Sequence, residues 1–293
     1  MSPSLPQIIA LGIVQGAAEL LPVSSSAHVI AAEKIMRLDP SSPEMTFVLV
    51  MLHAGTMAAM IAYFWESWRR SFFASPAQFR EAAARVALAT AATVCVGGGL
   101  ILGVERVVLR ARPGAEIEEL FSNLPLIAAS LAAAGALIVA TGLRARQPDT
   151  PAAPAPGGSV PAGPAVWIGV VQGLCLPFRG LSRSGLTIST GMLLGVRRRL
   201  SEEFSFALAV VITPPVILRE LLRFYRARAA EPGAVDLAAL ALPGLLGMLF
   251  SFGAGLLALR WLSGWLEKGH WHYFGFYCFA AAGGLLALAR LGY

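Results

Sequence analysis

The side chains able to do chemistry stand out because they interrupt apolar sequence. Glu19 lies within IIALGIVQGAAELLP, where an ionised carboxylate costs about 3 kcal/mol or more unless it is paired, hydrated or functional. Gln15, four residues earlier, shares its face of a helix. After Pro22 come Ser24, Ser25 and Ser26, and His28 follows three residues behind Ser25. Serines in membrane helices commonly pack or bond backbone, but an i, i+3 histidine puts an imidazole on the same flank as the hydroxyl, the arrangement of a nucleophile and its base. In the second half of the chain Arg183 stands in GLSRSGLT, between Gly180, Ser182 and Ser184, Gly185, Thr187. A guanidinium fork suits phosphate oxygens bidentately, glycines admit close approach, and hydroxyls with helix N-terminal amides add donors to the same anion. The structural alternative is an Arg183–Glu19 ion pair, and the two states can alternate if the pair opens when an anion binds.

What positions these residues follows from composition. The chain has 293 residues, 56% hydrophobic and 14% charged, with a mean hydropathy of +0.67. A soluble globular chain carries about 25% charged residues, so disorder, a coiled coil and most soluble enzymes are excluded. Apolar stretches at 44–64, 86–104, 123–143, 205–218, 237–259 and 271–289 are each near the roughly 20 residues of a spanning helix. The N-terminus has no basic n-region and its apolar run is broken by Gln15 and Glu19, so it reads as part of the fold and not as a signal peptide. Cys95, Cys175 and Cys278 are widely spaced within apolar runs and define neither a disulfide framework nor a zinc site. A net charge of +6 is spread over short loops without a basic arm, which argues against nucleic acid and for anionic headgroups or an anionic substrate.

One stretch, 144–164, is rich in Pro, Ala and Gly and reads as a linker between a first repeat, 1–143, and a second, 165–293. Residues 12–28 align without a gap on 169–185 at an offset of 157, matching Gln15 with Gln172, Gly16 with Gly173 and Ser25 with Ser182. Each aligned element is a short apolar piece, a Pro- or Gly-containing break and a serine-rich piece, too interrupted to span as one helix. Polar backbone at membrane depth needs protein or water over it, so both elements are expected to be re-entrant helical hairpins facing each other at the repeat interface. The predicted fold is an all-α polytopic membrane protein of two inverted repeats, with about six full spans plus two hairpins. Lys and Arg divide almost evenly between the two sets of loops, so charge does not set the orientation.

QGAAELLPVSSSAH, LHAGTMAAMIAYF, GLSRSGLT and EEFSFALAVVITPP, taken in order, resemble the bacterial undecaprenyl-diphosphate phosphatase family, the bacitracin-resistance type of integral membrane phosphatase. The resemblance runs over nearly the whole chain. It implies removal of the terminal phosphate from a C55 polyprenyl diphosphate, a divalent cation (Mg²⁺ or Ca²⁺), and a multi-pass protein of the bacterial inner membrane whose site opens toward the periplasm. Gln15 and Glu19 match the family's Glu/Gln-x-x-x-Glu element, Ser25 and His28 its serine and histidine, Ser182, Arg183 and Ser184 its Ser-Arg-Ser, and Thr187 its threonine. His53, in LHAGT, also occupies a family position, though a buried histidine bonded to backbone reads equally well.

Catalytic roles accordingly fall to Glu19, Ser25, His28 and Arg183, phosphate binding to Gln15, Ser24, Ser26, Ser182, Ser184 and Thr187 with Arg179 and His53 as additions, and cation binding to Glu19 and Gln15. The nucleophile is Ser25, His28 or water, and Glu19 either orients His28 or holds the cation. Two departures bear on rate and substrate preference: Arg179 stands where the family has proline before Gly180, and Ala27 replaces glycine before His28. His270, Trp271 and His272 read as interfacial anchoring, and Arg197, Arg198 and Arg199 as a solvated loop. Partners are the polyprenyl diphosphate and membrane lipids, and the apolar outer surface admits a homodimer. A flippase for the lipid carrier, or a silent carrier-binding protein, would need the anion site without the Ser25–His28 pair.

Overall fold

In the computed structural model of the chain, the described residues are 3–40, 42–104, 106, 123–144, 159–230 and 237–292. They form helices α1 (Leu5–Leu20), α2 (Ser25–Ile35), α3 (Pro43–Ser71), α4 (Pro76–Val104), α5 (Leu124–Arg144), α6 (Ala162–Cys175), α7 (Arg183–Leu193), α8 (Arg198–Ala230), α9 (Leu237–Glu267) and α10 (Trp271–Arg290). Six of these, α3, α4, α5, α8, α9 and α10, are long and apolar enough to cross a membrane. They match the six apolar stretches of the sequence and make the chain a multi-pass helical membrane protein. Of the predicted linker, 145–158 lie outside the described residues.

The short helices begin and end where local chemistry requires. Gln7 reaches back to accept the Ser4 N–H at 2.8 Å, opening α1. Leu21 is extended, φ −76° and ψ 152°, as the residue before Pro22 must be, so α1 stops there. Ser24 has φ +66°, a left-handed value uncommon for a residue with a Cβ, and it turns the chain into α2. Ser182 caps α7 by accepting the Gly185 N–H at 3.2 Å.

The two halves exchange partners. α1 packs on α9 and α6 on α4, while α3 lies against α8 and α5 against α10. Close approach at the repeated Gln-Gly permits the first two contacts: a Cβ at Gly16 would press into the Ser251 carbonyl, and one at Gly173 would lie 2.9 Å from that of Thr93. Between helices surrounded by lipid, such packing of small residues supplies much of the cohesion. The main core joins α3, α8, α9 and α10, with Phe64 stacked on Phe206 at 5.2 Å. Leu242, Leu257 and Val94 point outward, an apolar exterior suited to lipid.

Two readings at the span ends change. Trp271 is buried and donates its indole N–H to Ser189 Oγ at 3.0 Å, and His272 is also buried, so this pair belongs to the core and not to an interfacial belt. Arg198 and Arg199 form the first turn of α8, with Arg198 donating to the Glu267 carbonyl and Arg199 to Glu203, so only Arg197 stays in the connecting loop.

Candidate functional site

The breaks after α1 and after α6 meet in the interior. Arg183 donates from Nη2 to Glu19 Oε1 at 2.7 Å, across 164 residues of sequence. Glu19 Oε2 accepts the Ser25 hydroxyl at 2.5 Å and the Gln15 amide at 3.3 Å. Carboxylate, guanidinium, hydroxyl and amide thus form one connected group, with side-chain exposures of only 21% for Arg183 and 15% for Glu19. The second guanidinium nitrogen, Arg183 Nη1, is buried without a hydrogen-bond partner among the described residues. A donor held at depth in that state is ready for an anion's oxygen.

This group lines a cavity of about 430 Å³ that also takes in His53, Gln172, Arg179, Glu33 and Glu220. Its apolar wall comes from α3 and α8, including Leu49, Val50, Ile212, Val216 and Ile217. That is the lining expected for a ligand with a charged head and a hydrocarbon chain. His53, partly buried, lines the cavity, and its Nδ1 lies 2.8 Å from the Leu49 carbonyl.

Most of the remaining hydroxyls join the two breaks to each other or to neighbouring backbone. Ser24 and Ser26 both donate to the Arg179 carbonyl, at 2.8 and 2.9 Å. Ser184 donates to the Leu21 carbonyl at 3.2 Å. Thr187, fully buried, donates to the Arg183 carbonyl at 2.7 Å and meets Ser205 Oγ at 2.6 Å. Of the hydroxyls expected to bind phosphate, Ser24, Ser26, Ser182 and Ser184 line the cavity while also tying the breaks together or, for Ser182, capping α7, and Thr187 is buried outside the lining. Because the acceptor at position 179 is a main-chain carbonyl, the join does not depend on which side chain stands there, and the Arg179 departure leaves it intact.

His28 departs from its expected place. Its Nδ1 lies 2.8 Å from the Ser24 carbonyl and its Nε2 2.8 Å from Tyr277 Oη, and the ring does not line the cavity. At about 100° per residue, the cavity-lining residues Ser26, Val29, Ile30 and Glu33 occupy one arc of α2. Ser25 sits at the edge of that arc and His28 on the far flank beyond it. The i, i+3 spacing is right but leads away from the site, and the Ser25 hydroxyl meets Glu19 instead.

Sequence reasoning did not single out Gln172, Glu33 or Glu220. Gln172 is signalled by its alignment with Gln15, and Glu33 by following Ser26 at i+7 on one face. Both carry a buried oxygen, Gln172 Oε1 and Glu33 Oε1, without a hydrogen-bond partner among the described residues. For the expected cation, the described residues hold no cluster of three His, Cys, Asp or Glu ligands. The donor set is one carboxylate with one amide, Glu19 and Gln15, which fits a Mg²⁺ held chiefly by substrate phosphates and water.

The fold and this geometry define a class: a polytopic helical membrane protein with a buried guanidinium–carboxylate–hydroxyl group between two helix breaks, beside a cavity with an apolar wall. The chain belongs to the family described as bacitracin resistance protein BacA, whose pattern it matches over residues 8–284. It is 53% identical to undecaprenyl-diphosphatase 2 of Acinetobacter baylyi over 97% of this chain and 98% of the relative. It is 33% identical to the undecaprenyl-diphosphatase of Desulfosudis oleivorans, covering 94% and 96% of the two chains. An archaeal relative, the undecaprenyl-diphosphatase of Korarchaeum cryptofilum, is 29% identical over 97% of this chain and 99% of its own.

Proposed function

We propose that this protein is an undecaprenyl-diphosphate phosphatase, releasing the terminal phosphate and returning the lipid monophosphate to cell-wall synthesis. The observation that carries the reading is the Ser25–Glu19–Arg183 chain with the spare Arg183 Nη1 donor at its end. The relatives' names, and a hydroxyl already bonded to a carboxylate, support hydrolysis over flipping or silent binding.

In this reading the diphosphate enters between the two breaks with its isoprenoid chain along the α3–α8 wall. Arg183 Nη1 takes a phosphate oxygen, and the Glu19 pair loosens as the guanidinium turns to the anion. Ser25 Oγ attacks the terminal phosphorus, its proton passes to Glu19, and the bond to the bridging oxygen breaks, releasing polyprenyl monophosphate. Glu19 passes that proton to the departing monophosphate, then takes one from the attacking water and returns it to Ser25 Oγ as the phosphoserine bond breaks, releasing inorganic phosphate. Arg183 steadies charge on the transferring group, where most catalysis of phosphoryl transfer lies. A divalent cation would be held by Glu19 and Gln15 with phosphate and water, and when bound it supplies further neutralisation of the phosphate oxygens. The mouth opens to the periplasmic side of the inner membrane.

The test is phosphate release from C55 diphosphate by purified protein in detergent, beside Ser25→Ala and Arg183→Ala. Wild-type release lost by at least about 10³-fold in both folded variants is expected. Near-normal hydrolysis by either overturns the assignment of these residues, and no release by the wild type overturns the activity.

A further inference from the structure

We propose that Tyr277 on α10 is a positioning residue for this reaction, acting through the His28 ring and the Ser24 carbonyl to fix the direction of the Ser25 hydroxyl. The inference rests on the phosphatase reading above and adds a residue outside the cavity.

The chain of contacts is continuous. Ser24 contributes a carbonyl, which only accepts, so His28 Nδ1 at 2.8 Å must carry the ring proton. In the neutral ring Nε2 is then the acceptor, and Tyr277 Oη donates to it at 2.8 Å. The two rings also stack, with centroids 5.6 Å apart and planes 11° apart. Both imidazole nitrogens are thereby committed, which suits a strut and does not suit a base for Ser25.

What the strut supports is the turn from Leu21 to Ser24. Ser24 holds φ +66°, a conformation that persists in a non-glycine residue only where its surroundings over-determine it. Those surroundings are visible atom by atom. Ser184 takes the Leu21 carbonyl, Cys278 Sγ the Pro22 carbonyl at 3.4 Å, and His28 the Ser24 carbonyl. Beside the Ser24 hydroxyl's bond to the Arg179 carbonyl, two of these carbonyl restraints come from adjacent positions on α10, Tyr277 by way of His28 and Cys278 directly. The next residue is Ser25, whose Oγ must meet Glu19 on one side and a phosphorus on the other. A small misplacement of a reacting atom costs up to about 100-fold in rate.

The experiment compares kcat and KM for phosphate release from C55 diphosphate by the wild type, Tyr277→Phe, His28→Asn, His28→Ala and the Tyr277→Phe/His28→Asn double variant. Tyr277→Phe keeps the ring and loses only the hydroxyl, so kcat should fall about fivefold, the worth of one neutral hydrogen bond, with KM unchanged. An asparagine amide can donate to the Ser24 carbonyl as Nδ1 does, but cannot take a proton. His28→Asn should therefore stay within about tenfold of the wild type while His28→Ala falls about 100-fold. Tyr277→Phe should cost nothing further in the His28→Asn background.

Hydrogen exchange at residues 23–26, faster in Tyr277→Phe than in the wild type, reads the same strut without turnover. Unchanged kcat and unchanged exchange in Tyr277→Phe, or a folded His28→Asn as inactive as His28→Ala, would overturn the proposal. A wild type without phosphatase activity but with faster exchange in Tyr277→Phe would overturn the activity and leave the strut standing.

Discussion

Replacing Glu19 by glutamine changes one atom at the centre of the site, and its effects on kcat and on anion binding should separate. In the wild type one carboxylate oxygen accepts Arg183 at 2.7 Å and the other accepts both Ser25 and Gln15, at 2.5 and 3.3 Å. The carbonyl of the substituted side chain can still accept from Arg183. Its amide nitrogen then faces two former donors, the Ser25 hydroxyl and the Gln15 amide, so Ser25 loses its acceptor. Loss of a proton acceptor in the transition state is worth about 10²–10⁴ in kcat.

Binding moves the other way. Arg183 loses a full counter-charge, so inorganic phosphate, measured without the divalent cation that Glu19 would help to hold, should bind as tightly as in the wild type or more tightly. Stability should drop in the substrate-free protein, because breaking a buried pair costs about 3–5 kcal/mol, less here in proportion to the partial exposure of both groups. The assay is steady-state phosphate release with lipid diphosphate in detergent, alongside thermal melting with and without inorganic phosphate. Phosphate should recover more of the lost melting temperature in Glu19→Gln than it adds to the wild type. A folded Glu19→Gln enzyme with kcat within tenfold of the wild type would refute Glu19 as the proton acceptor, and weaker binding of inorganic phosphate without divalent cation would refute the competition between Glu19 and an anion for Arg183.

Other consequences follow from the same geometry. Arg183→Lys keeps the charge but cannot hold Glu19 and present a second fixed donor together, so kcat/KM should drop by about 100-fold or more in the release assay. Gly16→Ala drives a methyl into the Ser251 carbonyl and should cost about 1–3 kcal/mol, read as a lower melting temperature in detergent. Arg179→Ala leaves the main-chain acceptor for Ser24 and Ser26 in place, so kcat should persist while KM rises about threefold at low salt, with the difference shrinking as salt is added. Removal of divalent cations with EDTA should suppress release, and Mg²⁺ or Ca²⁺ should restore it in the same cuvette.

The six spans were legible because hydropathy reports the lipid-facing majority of each helix. Their ends were less so: α8 runs from Arg198 to Ala230 although only 205–218 reads as apolar, since Arg198, Arg199, Glu202 and Glu203 before it and Arg219 and Glu220 after it lower the hydropathy without ending the helix. The Gln-Gly repeat pointed to both broken elements, Glu19 and Arg183 stood out by the cost of charged groups in apolar sequence, and Ser25 by the histidine three residues on. The direction of His28 did not follow, because an i, i+3 rule fixes a flank and not which flank faces the cavity. Tyr277 lies 249 residues from His28, and its role depends on how α10 settles against α2, which no local pattern encodes. That Ser24, Ser26 and Ser184 also tie the breaks together through carbonyls was hidden for a related reason. A serine's chemistry permits a phosphate contact or such a tie, and only the tertiary approach of the Arg179 and Leu21 carbonyls supplies the tie.

The 164 residues between Glu19 and Arg183 also set an order of events during synthesis. At about 5–20 residues per second, the ribosome needs roughly 8–33 s to make the arginine after the glutamate. Over that interval the first broken helix carries a carboxylate with no counter-charge, and the bilayer interior resists it. The hydrophobic spans of the first half can insert as they emerge, but the Glu19–Arg183 pair cannot form before Arg183 is made, nor the contacts of Tyr277 and Cys278 with the first break before α10 follows.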